Sequence, residues 1–385
     1  MKAQIVLGAG YGDEGKGRVV DSLCGLDRNL SVRNNKMVVR FSGGQQAGHN
    51  VVYNGIQHIH SNYGAGTLRG IPTYFTEHTT IYLNNIAKEH KILKEKGIDV
   101  PQLYIHPLAR ITTPYDIHAN RRDKDNLEHG TCGLGVGKTM ERHEKHNYKL
   151  YAIDLMNKRV FCEKLDAIKK FYDLVPTPDL QKDVTLFISN LYSEHDPLIK
   201  IADYGSLLSC DTLIFEGSQG ILLDKDYGVF PHVTYANTTS KNALEVINHF
   251  GIKNSDIETF YVTRCYHTRH GNGPFHPESI DPSVFNLKDD HNEYNKYQKN
   301  FKVAKFDYSL FAHALRYDDI ENTSTNKTAV VTCLDHIPDN DSLFDADKLL
   351  SGNPELGRLL LSSSVSGGLM TYIKHTIELE KNGSN

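Results

Sequence analysis

The sequence predicts an α/β protein in which a mostly parallel central sheet carries helices on both faces. Three observations lead there. Short apolar runs alternate with helical patterns along most of the chain, the order that builds a covered parallel sheet. The first apolar run passes through a glycine-rich turn straight into a helix. The chain has 385 residues, 39% hydrophobic and 23% charged, long enough to bury a full core and ordinary enough to exclude a fibrous or disordered class.

Ala3 to Gly8 (AQIVLG) reads as a buried strand, Gly17 to Cys24 as a helix, and Lys36 to Phe41 as a second strand. Val51 to His60 alternates around Asn54-Gly55, a two-residue hairpin signal. Asn85 to Lys96 has a helical pattern that stops at Gly97, and Gln102 to His106 reads as a strand. Helices are predicted at Cys162 to Leu174 and Leu180 to Leu191, with Pro176 and Pro178 between them. Thr212 to Phe215 reads as a strand and Lys241 to Phe250 as a helix ending at Gly251. Glu258 to Cys265, Ala329 to Leu334 and Leu359 to Leu361 complete the expected strands. Asp281 to Lys305 is polar and reads as a long surface loop. With no linker, repeat or low-complexity tract, residues 1–385 read as a single domain with inserted loops.

Composition narrows the function classes. The formal net charge is −4, without the basic excess of a nucleic-acid binder. No apolar stretch approaches membrane-spanning length, and Met1 to Gly10 lacks a signal-peptide core and cleavage site. The six cysteines lie far apart with no CxxC pair, as expected of reduced thiols. A cytoplasmic protein that binds neither nucleic acid nor membrane is therefore expected.

The most informative stretch is Gly8-Ala9-Gly10-Tyr11-Gly12-Asp13-Glu14-Gly15-Lys16-Gly17. Gly10, Gly15 and Lys16 fit the G-x-x-x-x-G-K spacing of a phosphate loop between a strand and a helix. There, glycines let backbone N–H groups converge on phosphate oxygens at a helix N-terminus, and the lysine adds a full charge. The usual Ser/Thr after the lysine is Gly17, so another group must help hold Mg²⁺, and Asp13 is the candidate. The plain alternative is a glycine-rich structural turn.

GDEGKG at Gly12 to Gly17 resembles the N-terminal signature of adenylosuccinate synthetases, and four further segments agree in order. Val39 to His49 (VRFSGGQQAGH) is similar to that family's second motif. Gly130 to Gly137 is similar to its Thr/Gly-rich loop. Phe215 to Gly220 matches, continuing through Asp224, Pro231 to Thr234 and Asn237 to Thr239. So does Thr268-Arg269 with Gly271 to Phe275 and Glu278.

The resemblance implies a ligase that joins L-aspartate to C6 of a 6-oxopurine nucleotide, IMP to adenylosuccinate, through a 6-phosphoryl intermediate driven by GTP. It implies Asp13 as the base that takes the purine N1 proton and as a Mg²⁺ ligand, with the Gly48 carbonyl as the second metal contact. His49 is implied as general acid and Lys16 as a charge-neutralising group. Gly12, Glu14, Gly15 and Gly17 are expected along the triphosphate. Gln219 is expected on the purine nucleotide, Thr234 on its 5′-phosphate, and Thr131 and Cys132 on phosphate. Taken alone, His49 would read as a core histidine and Gln219 as a turn cap; their places in the motifs reverse both readings.

Departures cluster at the pockets. Gln46 stands for asparagine beside the substrate phosphate, Cys132 for threonine, and His270 for a valine near the ribose. The arginine-rich aspartate loop is replaced by a lysine-rich run in which Lys299, Lys302 and Lys305 are expected to supply the positive charge for aspartate without the guanidinium fork, a solvated charge run being the plain alternative for any one of them. Asp335 is expected to read guanine, although Cys333 replaces the stacking lysine, which keeps ATP open beside GTP. The segment from Ser362 to Ser366 is expected to close that site. Family members are commonly homodimers with a partner arginine on the substrate phosphate, and Arg142 is the stand-in here. Phage relatives that act on dGMP often carry a small hydroxyl residue in place of Asp13. This chain keeps Asp13, so IMP comes first and dGMP second. Two other readings compete: a non-catalytic nucleotide-binding switch, and a metal protein built on His143, His146, His267, His270 and His276, whose spacing fits no zinc pattern.

Overall fold

The computed structural model describes residues 1–26, 35–123, 133–191, 198–271, 273–275, 302–324, 326–336 and 344–362. The strands in chain order are β1 (Lys2–Gly8), β2 (Lys36–Arg40), β3 (His49–Tyr53), β4 (Ile56–His60), β5 (Thr73–Phe75), β6 (Thr80–Ile81), β7 (Leu103–Ile105), β8 (Arg110–Ile111), β9 (Lys200–Ile201), β10 (Thr212–Glu216), β11 (Ile257–Arg264), β12 (His267–Arg269), β13 (Lys302–Ala304), β14 (Asn326–Thr332) and β15 (Arg358–Leu361). The helices are α1 (Lys16–Gly25), α2 (Leu83–Glu95), α3 (Pro114–Arg122), α4 (Val136–Glu144), α5 (Lys158–Tyr172), α6 (Pro178–Leu191), α7 (Lys241–His249), α8 (Tyr308–Asp319) and α9 (Ala346–Ser351).

Nine strands form one sheet in the order β15-β14-β11-β1-β10-β2-β5-β7-β9, with every neighbouring pair parallel. Period-two alternation divides each strand between two core layers. Val6, Val38 and Ile214 face a layer completed by Val19, Val20 and Leu23 of α1, Ile86 and Leu93 of α2, and Phe161 and Leu165 of α5. Ile5, Leu7, Val39 and Phe215 face the opposite layer, completed by Val246 and Ile247 of α7 and Phe311 and Leu315 of α8. Burying each such aliphatic side chain contributes roughly 1.5–3 kcal/mol, which makes this alternation the main determinant of register. The doubly covered parallel sheet is the architecture the sequence predicts.

The hairpin forms as expected: Asn54 and Gly55 both take positive φ, 50° and 77°, as a tight turn between β3 and β4 requires. Other boundaries move. The helix expected from Cys162 starts at Lys158, because the Asn157 side chain caps the N–H groups of Arg159 and Val160. Pro178, read as a spacer, is the first residue of α6, where a missing N–H costs nothing. The helix α3 was not expected, yet Thr113, Pro114 and Asp116 form a capping box with proline at its start. The long surface loop also needs correcting at its end. Lys302–Ala304 is a strand paired antiparallel with His267–Arg269, and Val303 and Ala304 are buried; residues 281–301 lie outside the described residues.

The chain builds outward from β1 on one side through β2, β5, β7 and β9, returns to insert β10 between β1 and β2, then builds the other side through β11, β14 and β15. The order therefore reverses beside β1. The crevice outside the carboxyl ends of the strands at such a reversal is where open parallel sheets bind ligands.

Candidate active site

The turn after β1 lies in that crevice. Gly12 and Gly15 take φ of 121° and 94°, a region L side chains avoid, so both need glycine. The turn is braced from two neighbouring strands, β11 and β14. Ala9 N donates to Val262 O at 2.8 Å, Arg264 Nε to Asp13 O at 2.6 Å, and Thr332 Oγ1 to Glu14 O at 2.8 Å. Lys16, 1% exposed, donates through Nζ to Gly12 O at 2.8 Å and Glu14 Oε2 at 3.0 Å. Glu14 is not turned toward a ligand as expected. Its carboxylate lies inside the turn, accepts from Gly12 N at 2.7 Å, and fills the space a Cβ on Gly8 or Gly10 would need.

Asp13 points out of the turn with its side chain 30% exposed, and His270 Nε2 faces its Oδ2 at 3.4 Å. Burial raises its pKa above the usual carboxylate value, against the pull of His270 and Arg264. His49 opens β3 and is buried, with Nδ1 bonded to Glu216 Oε1 at the end of β10. Burial lowers the His49 pKa, opposed by Glu216 and helped by Arg40 and Lys16, so the ring is neutral near pH 7. Burial alone would raise Glu216, but His49, Arg40 and the Ala65 amide hold it at about 2. An ionised carboxylate only accepts, so His49 carries its proton on Nδ1 and presents Nε2 as its other polar atom. Gly17 explains the missing Ser/Thr: a Cβ there would lie 2.4 Å from His49 Cβ. Glycine lets the histidine strand settle against α1.

Around this centre lie polar groups without partners. The amide of Gln46 is buried with neither Oε1 nor Nε2 bonded among the described residues, and the same holds for Gln219 Oε1. Gln219 has φ of 55°, and its Cα lies 3.3 Å from where a Gly12 Cβ would be, so it stands against the phosphate turn. Thr234 is partly buried, with its N–H on Leu223 O at 2.8 Å. The Arg269 guanidinium stacks 4.3 Å over the Tyr11 ring, and Lys302, its register partner, bonds Gly273 O at 3.2 Å. Asp335 sits in the turn after β14, where Leu334 N donates to Ser362 O at 3.2 Å, so the expected base-reading segment and the end of β15 do meet. Gly48, immediately before His49, is exposed.

Comparison with known proteins identifies the family of the chain. The profile of the family described as adenylosuccinate synthetase matches residues 5–339. The chain belongs to the adenylosuccinate synthetase family. Members of this family are C–N-bond-forming ligases. The adenylosuccinate synthetase of Glaesserella parasuis is 32% identical over 305 residues, 73% of this chain and 66% of that protein. That of Mannheimia succiniciproducens is 29% identical over 356 residues, 87% of this chain and 79% of the relative. Two solved structures share the fold. Fully ligated adenylosuccinate synthetase from Plasmodium falciparum has a TM-score of 0.63 at 22% identity, over 86% of this chain and 77% of that one. The cyanophage S-2L succinoaminodeoxyadenylate synthetase, bound to dGMP and to dATP as energy donor, has a TM-score of 0.64 at 16% identity, over 94% and 92%.

Set against the family expectations, one residue is plainly elsewhere. Arg142, expected to reach a phosphate in a partner subunit, is 0% exposed and locked inside its own chain. Its Nε and Nη2 bond the two Asp116 oxygens at 2.8 and 3.0 Å, Nη2 also bonds Ile111 O at 2.9 Å, and Nη1 bonds Tyr148 O. It ties α4 to α3 and cannot reach out. Lys305 is exposed past the end of β13, whereas Lys302 turns toward Arg269. Thr131, Cys132, Lys299 and His276 lie outside the described residues. Sequence reasoning missed Glu216, Arg40, Arg264 and Thr332 as site residues. A signal existed for the first two: β2 (KMVVR) and β10 (TLIFE) are apolar strands that end on a charge, and Arg40 and Glu216 are register partners.

Proposed function

We propose that this protein joins L-aspartate to C6 of IMP, forming adenylosuccinate through a 6-phosphoryl intermediate at the expense of GTP. The observation that carries the reading is the gathering of Asp13, Lys16 and the Glu216-backed His49 at the sheet reversal. Asp13 is the base: its raised pKa suits a carboxylate that must take the purine N1 proton, which puts negative charge on O6 for attack on the γ-phosphate. Lys16 and the turn amides neutralise the phosphoryl group. His49 is neutral when no substrate is bound. It gains a proton at Nε2 only beside an anionic group, while Glu216 holds Nδ1–H, and it then acts as general acid on the transferring oxygens.

The Asp13 carboxylate and the Gly48 carbonyl are hard oxygen donors, and the exposure of both residues leaves them accessible to Mg²⁺. When bound, that ion neutralises charge on the triphosphate. Gln46 and Gln219 hold the nucleotide with amides otherwise unpaired, Thr234 its 5′-phosphate, Asp335 and Ser362 the base of GTP, and His270 the ribose. Gly12, Gly15 and Gly17 line the triphosphate through their backbone. Of Lys302 and Lys305, Lys302 is the better placed for aspartate. The unit is one domain over residues 1–385, a cytoplasmic homodimer; among the described residues no helix is long and apolar enough to cross a membrane.

A second reading is the same reaction on dGMP, with ATP as donor. The S-2L enzyme bound to dGMP and dATP matches 94% of this chain in fold, and Cys333 leaves the triphosphate base site unlike a stacking guanine pocket. Phosphate release with Mg²⁺ and L-aspartate, crossing IMP, dIMP, GMP and dGMP with GTP and ATP, separates the readings. Turnover on IMP with GTP is the expected result. Turnover on dGMP alone replaces it with the second reading. Triphosphate binding without turnover on any pair removes the ligase reading in favour of a nucleotide-binding switch.

A further inference from the structure

Beside the hairpin that presents His49, but outside the groups assigned above, lies a buried cluster. His58 and His60 are two residues apart on β4 and so project to one face. Glu89 of α2 meets them there. The three are 5%, 0% and 6% exposed. Glu89 Oε1 lies 3.4 Å from His58 Nε2 and 3.9 Å from His60 Nδ1, the two rings cross edge to face at 4.7 Å, and one ligand-type atom from each residue falls within 4.8 Å of the others.

The hydrogen bonds explain Glu89 and leave His60 unexplained. Glu89 anchors the chain after β4: its oxygens accept from Asn62 N at 2.7 Å, Asn62 Nδ2 at 2.8 Å, Ser61 N at 3.2 Å and Tyr63 N at 3.3 Å. Yet both ring nitrogens of His60 are buried with no partner among the described residues. An unmet buried polar group costs roughly 1–3 kcal/mol. Glu89 is ionised, with no lysine or arginine paired to it among the described residues. A partnerless imidazole, a second imidazole and an unneutralised carboxylate thus face one point.

Tetrahedral zinc with bonds of about 2.0–2.1 Å sets its ligand atoms about 3.4 Å apart. The two separations from Glu89 Oε1 lie at or near that value.

We propose that His58, His60 and Glu89 form a three-ligand site for a zinc-class dication, with a water in the fourth position. The ion is distinct from the Mg²⁺ of the triphosphate, since two imidazoles favour a borderline metal over a hard one. Binding moves the His58 proton from Nε2 to Nδ1, and Lys96, now bonded to His58 Nδ1 at 3.3 Å, keeps its bond to Gln57 O at 2.6 Å. His60 is the register partner of His49, so the ion clamps to α2 the strand end that lies against the candidate general acid. The proposal stands whether or not the ligase reading does.

Untagged full-length protein, stripped with chelator, is titrated with Zn²⁺ by calorimetry and with Co²⁺ by visible spectroscopy. One ion per chain is expected, with the intense visible bands of four-coordinate Co²⁺, undisturbed by excess Mg²⁺. His60→Ala and His58→Asn should each weaken binding at least roughly tenfold while melting like wild type in chelator. X-ray absorption at the zinc edge of the wild-type protein needs no variant and should show two imidazole nitrogens. Absence of stoichiometric binding, unaltered binding in both variants, or a zinc shell without imidazole overturns the site.

Discussion

Among the described residues two arginines are wholly buried, and they are opposites. Each of the three nitrogens of the Arg142 guanidinium is bonded inside the protein, to both oxygens of Asp116 and to the carbonyls of Ile111 and Tyr148. Asp116 is equally complete, holding Thr113 and the Tyr172 hydroxyl as well. Arg40 is as deeply buried, yet none of its three side-chain nitrogens has a partner among the described residues; it lies 5.7 Å from the Phe75 ring. The first region is finished without a ligand and is a brace. The second, with Arg40, Glu216 and His49 at the strand ends and the open amides of Gln46 and Gln219 nearby, is held with charge in excess of its bonds. Buried polar groups without hydrogen bonds otherwise destabilise a fold, and such groups gather at functional sites.

The comparison can be broken by separating stability from turnover. The largest effect belongs to Asp13→Ala, expected to lower turnover by roughly 10²–10⁴-fold while the fold persists; steady-state kinetics beside urea unfolding checks it, and retained turnover removes Asp13 as base. Next, Arg142→Met should cost about 3–5 kcal/mol in urea unfolding, because Asp116 is left buried without its counter-charge. Turnover per folded molecule at low temperature should be unchanged, and a loss there would return Arg142 to the site.

Glu216→Gln removes the charge behind His49 and should lower turnover roughly 10–100-fold, with wild-type triphosphate binding. Arg40→Met removes a cation that helps hold Glu216 ionised but breaks no hydrogen bond, and should cost less stability than Arg142→Met; equal losses in the two urea series would end the contrast. The last effect concerns acid. Burial, with Arg142 and nearby cations, lowers His143 to about 2, whereas the unfolded chain takes up that proton near pH 6.5. Its contribution is therefore complete above about pH 6.5 and declines by roughly 1.4 kcal/mol per pH unit below it. His143→Gln should flatten that slope between urea series at pH 7 and pH 5.

Much of this was legible in one dimension. Apolar runs such as IVL in β1 and MVV in β2 identified core strands, because a strand buried on both faces must be apolar throughout. The glycine turn after β1 was legible because positive φ and close backbone approach leave glycine few substitutes. Asn54-Gly55 marked its hairpin for the same reason. Family motifs located Asp13, Lys16 and His49 because they fall in short stretches of chain. Short edge strands such as Lys200–Ile201 escaped notice, since two residues carry no period.

What remained hidden required residues far apart in sequence to meet. The sequence by itself determined the sheet, the loop and the residue types its chemistry needs, since these follow from local periodicity and backbone sterics. Only the tertiary structure decided that Glu216 backs His49 from 167 positions away, that Gly17 is small to admit a histidine, and that Arg142 faces inward. Partner choice among charges depends on which strands become neighbours, and here the return of β10 between β1 and β2 brings Glu216 alongside Arg40 and within reach of His49.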